Sequence, residues 1–205
     1  MSEPYWNHNV HYQSLVMKLV PRGCGRALDI GCGDGLLASK LAARVPDVTA
    51  ADRSPEAVAL ACERHGHLDN VSFVTADYLD DPHGLLPEGK YDFISAVAVT
   101  HHAEFRQSAR ALARLLAPGG RLVVVGLALN RSPSDWVISG TAQVVSRLLQ
   151  LRHGPKSGPG QAVPGTPPVL SWAETGRLAR EELPGCRYRR LLLRRYLLVW
   201  DRPDQ

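Results

Sequence analysis

Short apolar runs alternate with segments of helical spacing through the first 127 residues of the chain. The apolar runs are Arg26–Ile30, Val48–Ala51, Val71–Thr75, Tyr91–Val97 and Arg121–Leu127. Continuous apolar runs of this length are typical of strands in a parallel sheet, because helices cover both faces of such a sheet. The intervening segments repeat their apolar side chains at helical spacing. This alternation of strand and helix predicts an α/β fold with a doubly wound sheet.

Helix boundaries follow from residues with capping preferences. Ser54 is a suitable N-cap and Pro55 suits the first helical turn, so we expect a helix that starts there and ends near Gly66. Another helix is predicted over Glu104–Leu116, where apolar residues form one stripe. The Pro118-Gly119-Gly120 sequence should separate that helix from the fifth strand.

The chain changes character after the fifth run. Ser132–Asp135 resembles a capping box that opens an apolar helix over Trp136–Leu151. The next segment, His153–Val169, is rich in glycine and proline and suits neither a helix nor a central strand. A loop of this length is either functional or disordered. We expect a helical insertion with a lid loop, and leave open a disordered surface loop or a dimer interface.

The sequence of the last 35 residues predicts a helix followed by a β hairpin. A second capping box at Ser171–Glu174 starts the helix, which Pro184-Gly185 ends, and two β runs meet at a turn near Arg194-Arg195. We expect one domain over residues 1–205. Its segments are an N-terminal cap helix (1–25), a cofactor-binding core (26–128), the helical insertion and lid loop (129–170), and the final helix and β hairpin (171–205).

Composition adds few constraints. The 205 residues carry a formal net charge of +4 with a pI of about 9. The positive charge is nearly all arginine and forms no long block, so nucleic acid is not the expected partner. The four cysteines form no CxxC pair that would indicate a disulfide framework or zinc site. No signal-peptide pattern or membrane-spanning apolar run is present, so a cytoplasmic protein is expected.

The sequence ALDIGCGDG, at Ala27–Gly35, places a glycine loop where the first strand ends. Ligands bind at the carboxyl ends of strands in a doubly wound sheet. The G-x-G-x-G spacing differs from the G-x-G-x-x-G of dinucleotide folds, and no Gly-Lys-Ser/Thr follows that would indicate a P-loop. Asp29 and Asp34 suit a ligand that carries an ammonium group better than one that carries phosphates.

Two later strand ends supply further polar groups. Asp52 ends the second strand, where a carboxylate can accept hydrogen bonds from both hydroxyls of a ribose. Asp77 and Tyr78 follow the third strand, where a carboxylate can accept from an adenine amino group and a tyrosine can pack on the ring. Each residue could also be purely structural, as a turn residue or as part of the core.

These stretches, with LLAPGGRLVVVG at Leu115–Gly126, resemble the class I S-adenosylmethionine-dependent methyltransferases, particularly small-molecule enzymes of the ubiquinone/menaquinone type. The resemblance covers about Ala27–Leu127. It implies a Rossmann-like seven-stranded mixed sheet, with the C-terminal hairpin supplying the antiparallel strand, and S-adenosylmethionine as cofactor. By position, the glycine loop would pack on the methionine part, with Asp29 near the ammonium. The implied cofactor-binding residues are Asp29, Gly31, Cys32, Gly33, Gly35, Asp52, Arg53, Asp77, Tyr78 and Val97.

The resemblance also places the reactive centre after the fourth strand, in SAVAVTHHAEF. His101 and His102 are the candidate catalytic residues, because a histidine side chain with a pKa near neutrality can accept a proton from a phenol or hydroxyl. The alternative is that they fix the loop. Ala96–Val99 has no Asn/Asp-Pro-Pro-Tyr clamp, which argues against nucleic-acid amines and glutamine amides as acceptors. Methyl transfer from a sulfonium requires no metal, and the histidines form no convincing metal site.

Aromatic residues are expected to cover the site. A helix before the first strand folds over the cofactor in the family, and His11 or Tyr12 could contact the methionine carboxylate, although packing alone would explain both. The candidate substrate or cofactor cap residues are Tyr5, Trp6, His11, Tyr12 and Trp136.

The expected reaction is methyl transfer from S-adenosylmethionine to an oxygen of a small metabolite, in secondary metabolism, with nitrogen or carbon as alternative acceptors. Rival functions are a non-methylation reaction on the same cofactor, a nicotinamide dehydrogenase, and RNA modification. The aromatic–basic tail, with Arg187-Tyr188-Arg189-Arg190, leaves RNA as a residual alternative. The expected partner is a small-molecule substrate, and binding to nucleic acid or to a membrane is not expected. The protein is expected to be a monomer or a homodimer.

Overall fold

The computed structural model describes residues 5–100, 103–131 and 169–204. The strands are β1 (Arg26–Ile30), β2 (Asp47–Asp52), β3 (Val71–Thr75), β4 (Tyr91–Val97), β5 (Leu116–Leu127), β6 (Arg187–Arg190) and β7 (Arg195–Asp201). The helices are α1 (His8–Leu19), α2 (Leu36–Ala42), α3 (Pro55–His65), α4 (Phe105–Leu115) and α5 (Trp172–Glu182). The five strands predicted before residue 128 are confirmed.

The seven strands form one sheet in the order β3-β2-β1-β4-β5-β7-β6. Strands β1 to β5 pair in parallel, whereas β7 runs antiparallel to both β5 and β6. The strand order reverses direction at β1 and β4, and ligands bind at such a point in doubly wound sheets. The carboxyl ends of β1, β2 and β4 and the start of β7 therefore lie along one edge. The predicted mixed sheet with its antiparallel hairpin is confirmed.

Strand β5 differs from its prediction at the start. It begins at Leu116 and includes the Pro118-Gly119-Gly120 sequence that was expected to be a separate break. Leu116 already pairs with Tyr91 of β4, and the register then shifts before Arg121 pairs with Phe93. The proline and glycines therefore form an irregularity within the strand. Helix α4 ends directly against it, one residue earlier than predicted.

The predicted helix caps are present. The Ser54 side chain accepts the N–H of Ala57 at the start of α3, and Gly66 closes that helix. At α5, the Ser171 side chain accepts the N–H of Glu174, whose carboxylate accepts the N–H of Ser171. This reciprocal pair is the expected capping box.

Apolar side chains pack on both faces of the sheet. Leu28 and Ile94 lie on the face that Leu112 of α4 covers, and Val48 lies on the face that Leu41 of α2 covers. All five are buried. Coverage of both faces explains why the central strands read as continuous apolar runs. Among the described helices, none has the length and apolar character needed to cross a membrane.

The hairpin turn lies where the sequence predicts it and is followed by a buried arginine. Leu193 and Arg194 adopt positive φ values of 57° and 58°, which closes the turn before β7. Arg195 is buried rather than exposed, and its guanidinium donates to the side chain of Asn9 on α1 at 2.9 Å. The other predicted helix and lid loop, over residues 132–168, lie outside the described residues.

Candidate cofactor site

The three glycines of the loop between β1 and α2 are needed for different reasons. Gly31, Gly33 and Gly35 all have positive φ values, of 68°, 56° and 79°. A Cβ at Gly31 would lie 2.3 Å from the Val99 side chain, and one at Gly35 would lie 3.0 Å from the Phe73 ring. A Cβ at Gly33 would meet no atom within 4 Å. The backbone at Gly33 is therefore open to a ligand, whereas its two neighbours fit against the protein.

Asp52 connects the end of β2 to this loop. Its carboxylate accepts the N–H of Gly33 at 3.0 Å with one oxygen and the N–H of Ser54 at 3.0 Å with the other. A carboxylate has about four acceptor positions, so two hydrogen bonds leave capacity for further donors. The half-buried side chain thus fixes the loop and can still accept from ligand hydroxyls.

Asp29 lies within the sheet beneath the loop end. It is 2% exposed and accepts a hydrogen bond from the Ser95 hydroxyl at 2.8 Å. Burial raises the pKa of Asp29 to about 7, although the Ser95 hydrogen bond acts in the opposite direction. The carboxyl group therefore changes its charge near neutral pH.

Carboxylates surround the loop on several sides. Burial and the negative charges of Asp29, Asp52 and Asp34 all raise the pKa of the Cys32 thiol, which stays neutral. Asp34 is partly neutralised, because it accepts hydrogen bonds from Tyr5 at 2.8 Å and Arg64 at 2.6 Å. The carboxylates of Asp29 and Asp52 beside the loop favour a cationic group there.

The residues after β3 approach the same edge. The Asp77 carboxylate accepts the N–H of Leu79 at 2.9 Å, and Tyr78 donates to the Ser108 hydroxyl at 3.0 Å. Burial raises the pKa of Tyr78, while the nearby charge of Arg53 lowers it. Tyr78 is therefore within electrostatic range of Arg53 and Asp77, and the adenine-binding role of these residues stays a prediction.

The N-terminal segment lies over the loop through specific contacts. Tyr5 reaches Asp34, and Trp6 is buried with its ring edge-on to His11 at 6.5 Å. Tyr12 instead donates to the carbonyl oxygen of Leu192 at 2.7 Å, so its hydroxyl fastens α1 to the hairpin turn.

Comparisons with known proteins decide the family. Residues 27–120 match the methyltransferase domain family. An uncharacterized methyltransferase of Mycobacterium tuberculosis is 34% identical over 213 residues, which cover 99% of this chain and all of that protein. The chain belongs to the class I S-adenosylmethionine-dependent methyltransferases.

Two further methyltransferases are similar over different extents. A ubiquinone biosynthesis O-methyltransferase of Xanthomonas oryzae is 37% identical over 129 residues, which cover 60% of this chain and 52% of that protein. The structure of the N-methyltransferase NodS from Bradyrhizobium japonicum, in complex with S-adenosyl-L-homocysteine, superposes with a TM-score of 0.59. It is 20% identical, and the match covers 95% of this chain and 86% of that one. That likeness supports the methyltransferase fold.

The residues of this methyltransferase fit S-adenosylmethionine. The open backbone at Gly33 allows a ligand to lie against the loop, and the surrounding carboxylates suit its ammonium group. Asp52 retains acceptor capacity for hydroxyls at the end of β2. Of two cavities among the described residues, one of about 380 Å³ is lined by Tyr78 and one of about 390 Å³ lies between α5 and β6. No loop glycine lines either cavity.

The binding and catalytic roles of all the site residues predicted for the methyltransferase remain predictions. His101, His102 and Trp136 lie outside the described residues. Val97 is half-buried at the end of β4, next to β1 in the sheet. Within the ranges that the structure describes, no three metal-ligating side chains come together. That the reaction needs no metal stays a prediction.

Sequence patterns did not reveal three contacts at this edge. The Ser95 partner of Asp29 and the Arg64 partner of Asp34 are 66 and 30 residues away in the chain. Thr100 is hydrogen-bonded to a residue 96 positions away. Only the position of Ser95 on a predicted strand beside the glycine loop could have indicated one of them.

Proposed function

We propose that this methyltransferase transfers the methyl group of S-adenosylmethionine to an oxygen atom of a small organic molecule, with secondary metabolism as its setting. The observation that carries the proposal is the apolar surface at the end of β4, directly beside the glycine loop. The likeness to a ubiquinone biosynthesis O-methyltransferase supports oxygen as the acceptor atom.

The cofactor roles follow the described geometry. Gly33 offers exposed backbone and Asp52 accepts from the ribose hydroxyls. Asp29 has a pKa raised to about 7 by burial, and a nearby ammonium group would favour its ionised form. Asp77 and Tyr78 form the adenine end, with Arg53 beside them. The Tyr5–Asp34 hydrogen bond holds the N-terminal segment over the loop, where Trp6 and His11 contribute to the cap.

The acceptor region begins where β4 ends. Ala96 pairs with Ile30 at the end of β1, so the two strands deliver their following loops side by side. Val97, Ala98 and Val99 are half-buried and apolar, and they offer no polar side chain to bind an exocyclic amine or amide. An apolar surface of this kind fits an aromatic or aliphatic acceptor.

The reaction requires alignment and the removal of one proton. When bound, S-adenosylmethionine supplies a methyl group that its sulfonium already activates. A bond forms between the acceptor oxygen and the methyl carbon as the methyl–sulfur bond breaks, which releases S-adenosylhomocysteine. We assign His101 or His102 to accept the hydroxyl proton. The surrounding apolar residues exclude water from the reacting atoms.

A panel of acceptors tests this proposal. The enzyme is incubated with S-adenosylmethionine and with 3,4-dihydroxybenzoate, 4-hydroxybenzoate, a primary amine or a β-ketoester, and S-adenosylhomocysteine release is measured. Turnover with the hydroxyl compounds alone supports oxygen transfer. Turnover with the amine or ketoester alone contradicts it. No turnover with any acceptor, despite tight S-adenosylhomocysteine binding, favours a non-methylation reaction.

RNA modification is tested separately. Arg187, Arg189 and Arg190 are exposed on the edge strand β6, where arginines also protect a sheet edge from pairing with another chain. An RNA substrate predicts binding that weakens steeply as salt rises. We expect no such binding to a structured RNA at about 150 mM salt.

A further inference from the structure

Three consecutive residues after β4 are each held by a different part of the fold. Ala98 has a φ of 59°, and its N–H donates to the Val125 carbonyl oxygen of β5 at 2.8 Å. Val99 occupies the space that a Cβ at Gly31 would need. Thr100 is buried and hydrogen-bonded to β7. A non-glycine residue with positive φ persists only where its surroundings determine it, so this segment is firmly constrained.

The contact of Thr100 is with Tyr196. The two hydroxyl oxygens lie 3.0 Å apart, and the residues are 4% and 2% exposed. Burial raises the pKa of Tyr196 to about 12, so the phenol keeps its proton at every pH at which the enzyme would work. Each buried hydroxyl therefore depends on the other for a partner.

Gly126 makes room for this contact. It pairs with Tyr196 across the β5–β7 ladder, and a Cβ on it would lie 2.2 Å from the Tyr196 ring and hydroxyl. The tyrosine ring therefore crosses β5 over Gly126 and reaches Thr100, the third residue after β4. No positive φ requires glycine at this position, so the need is purely for space.

We propose that Tyr196 is a positioning residue for methyl transfer. Through Thr100 it fixes the end of the Val97–Thr100 segment, and so sets where the apolar acceptor surface lies relative to the glycine loop. The catalytic part of this inference rests on the proposed function, whereas the anchoring of the loop does not. Small errors in the alignment of reacting groups are costly in rate, which makes such an anchor effective.

The molecule contains a matched control at the opposite end of β4. Tyr91 is also fully buried, and its hydroxyl lies close to the side chain of the half-buried Thr49. Tyr91→Phe likewise removes the hydroxyl of a fully buried tyrosine, but away from the carboxyl edge of the sheet. The comparison of Tyr196→Phe with Tyr91→Phe therefore separates positioning from general stability.

The first measurement needs no acceptor. Hydrogen exchange is followed in peptides containing Val97–Thr100 for the wild type, Tyr196→Phe and Tyr91→Phe, with thermal unfolding as the check that each variant is folded. We expect faster exchange of this segment in Tyr196→Phe alone. Equal exchange in all three proteins would overturn the anchoring, whatever the reaction proves to be.

The second measurement is steady-state turnover with 3,4-dihydroxybenzoate. We expect kcat to fall about tenfold in Tyr196→Phe and Thr100→Val, with KM and S-adenosylhomocysteine affinity changed less than about twofold. Thr100→Ser should retain activity because it keeps the hydroxyl. The double variant Tyr196→Phe/Thr100→Val should be no slower than either single variant, because both substitutions remove the same contact. Unchanged kcat in Tyr196→Phe, or an equal fall in Tyr91→Phe, would overturn the positioning role. Absence of turnover in the wild type counts against the proposed function, and the exchange measurement then decides the anchor.

Discussion

At the scale of single residues, Asp52 is a suitable position at which to test the proposed ribose site. Its oxygens hold the N–H groups of Gly33 and Ser54, and the proposed function adds the ribose hydroxyls. Asp52→Ala should weaken S-adenosylhomocysteine binding by about 1–3 kcal/mol, because charged acceptors are lost at a structured loop. Isothermal titration calorimetry measures the change.

The control for this prediction lies at the other end of the same strand. Asp47 pairs with Arg26 at 2.7 Å, and both side chains are nearly half exposed. Such surface pairs contribute at most about 1 kcal/mol. Asp47→Ala should leave S-adenosylhomocysteine affinity unchanged. Equal affinity of Asp52→Ala and Asp47→Ala would refute the assignment of Asp52.

Asp29 should make stability depend on pH. Burial raises its pKa from 3.8 to about 7 in the folded protein, whereas the unfolded chain keeps the ordinary value. Between about pH 4 and pH 7 the folded state holds a proton that the unfolded state has released, so this group's contribution to stability falls as pH rises. Asp29→Asn does not titrate and should lack this component.

Urea unfolding of the wild type and Asp29→Asn at several pH values tests this prediction. The free energy of unfolding of the wild type should decline relative to the variant as pH rises towards 7, and the difference should level off above that. Parallel curves across the whole range would show that Asp29 titrates normally.

At the scale of elements, the start of α5 depends on its capping box. Ser171 is buried and exchanges hydrogen bonds with Glu174, which also pairs with Arg131 at 2.9 Å. Ser171→Ala should lower the free energy of unfolding by about 1 kcal/mol, the usual contribution of an N-cap serine. Urea unfolding measures this loss.

Ser14→Ala provides the comparison within α1. Ser14 is exposed in the middle of the helix, where alanine has the higher helix propensity. The free energy of unfolding of Ser14→Ala should equal that of the wild type or be slightly higher. A loss in Ser14→Ala as large as that in Ser171→Ala would mean that the capping box contributes nothing particular.

At the scale of the whole molecule, local sequence patterns were sufficient to predict the helices and strands. They were insufficient to predict the contacts at the carboxyl edge of the sheet. The caps at Ser54 and Ser171 depend on neighbours three residues away, so the sequence contains their full cause. The burial of Arg195 and the Thr100–Tyr196 hydrogen bond depend on how β7 inserts beside β5. No local pattern marks such contacts, because their partners are distant in the chain.

The same distinction explains the candidate site. The glycine loop and Asp52 could be identified because strand ends of a parallel sheet meet at one edge. Side chains occupy the Cβ positions at Gly31 and Gly35 but not at Gly33. This difference could not be predicted, because it depends on how Val99 and Phe73 pack. The acceptor atom depends on packing that spacing alone does not encode.

The most direct test of the account follows the methyl group itself. The enzyme is incubated with 3,4-dihydroxybenzoate and S-adenosylmethionine that carries a trideuterated methyl group, and the product is analysed by mass spectrometry and NMR. The account predicts one trideuteromethyl group attached to a ring oxygen, formed in step with S-adenosylhomocysteine. A label attached to carbon, or S-adenosylhomocysteine formed without any labelled product, would contradict it.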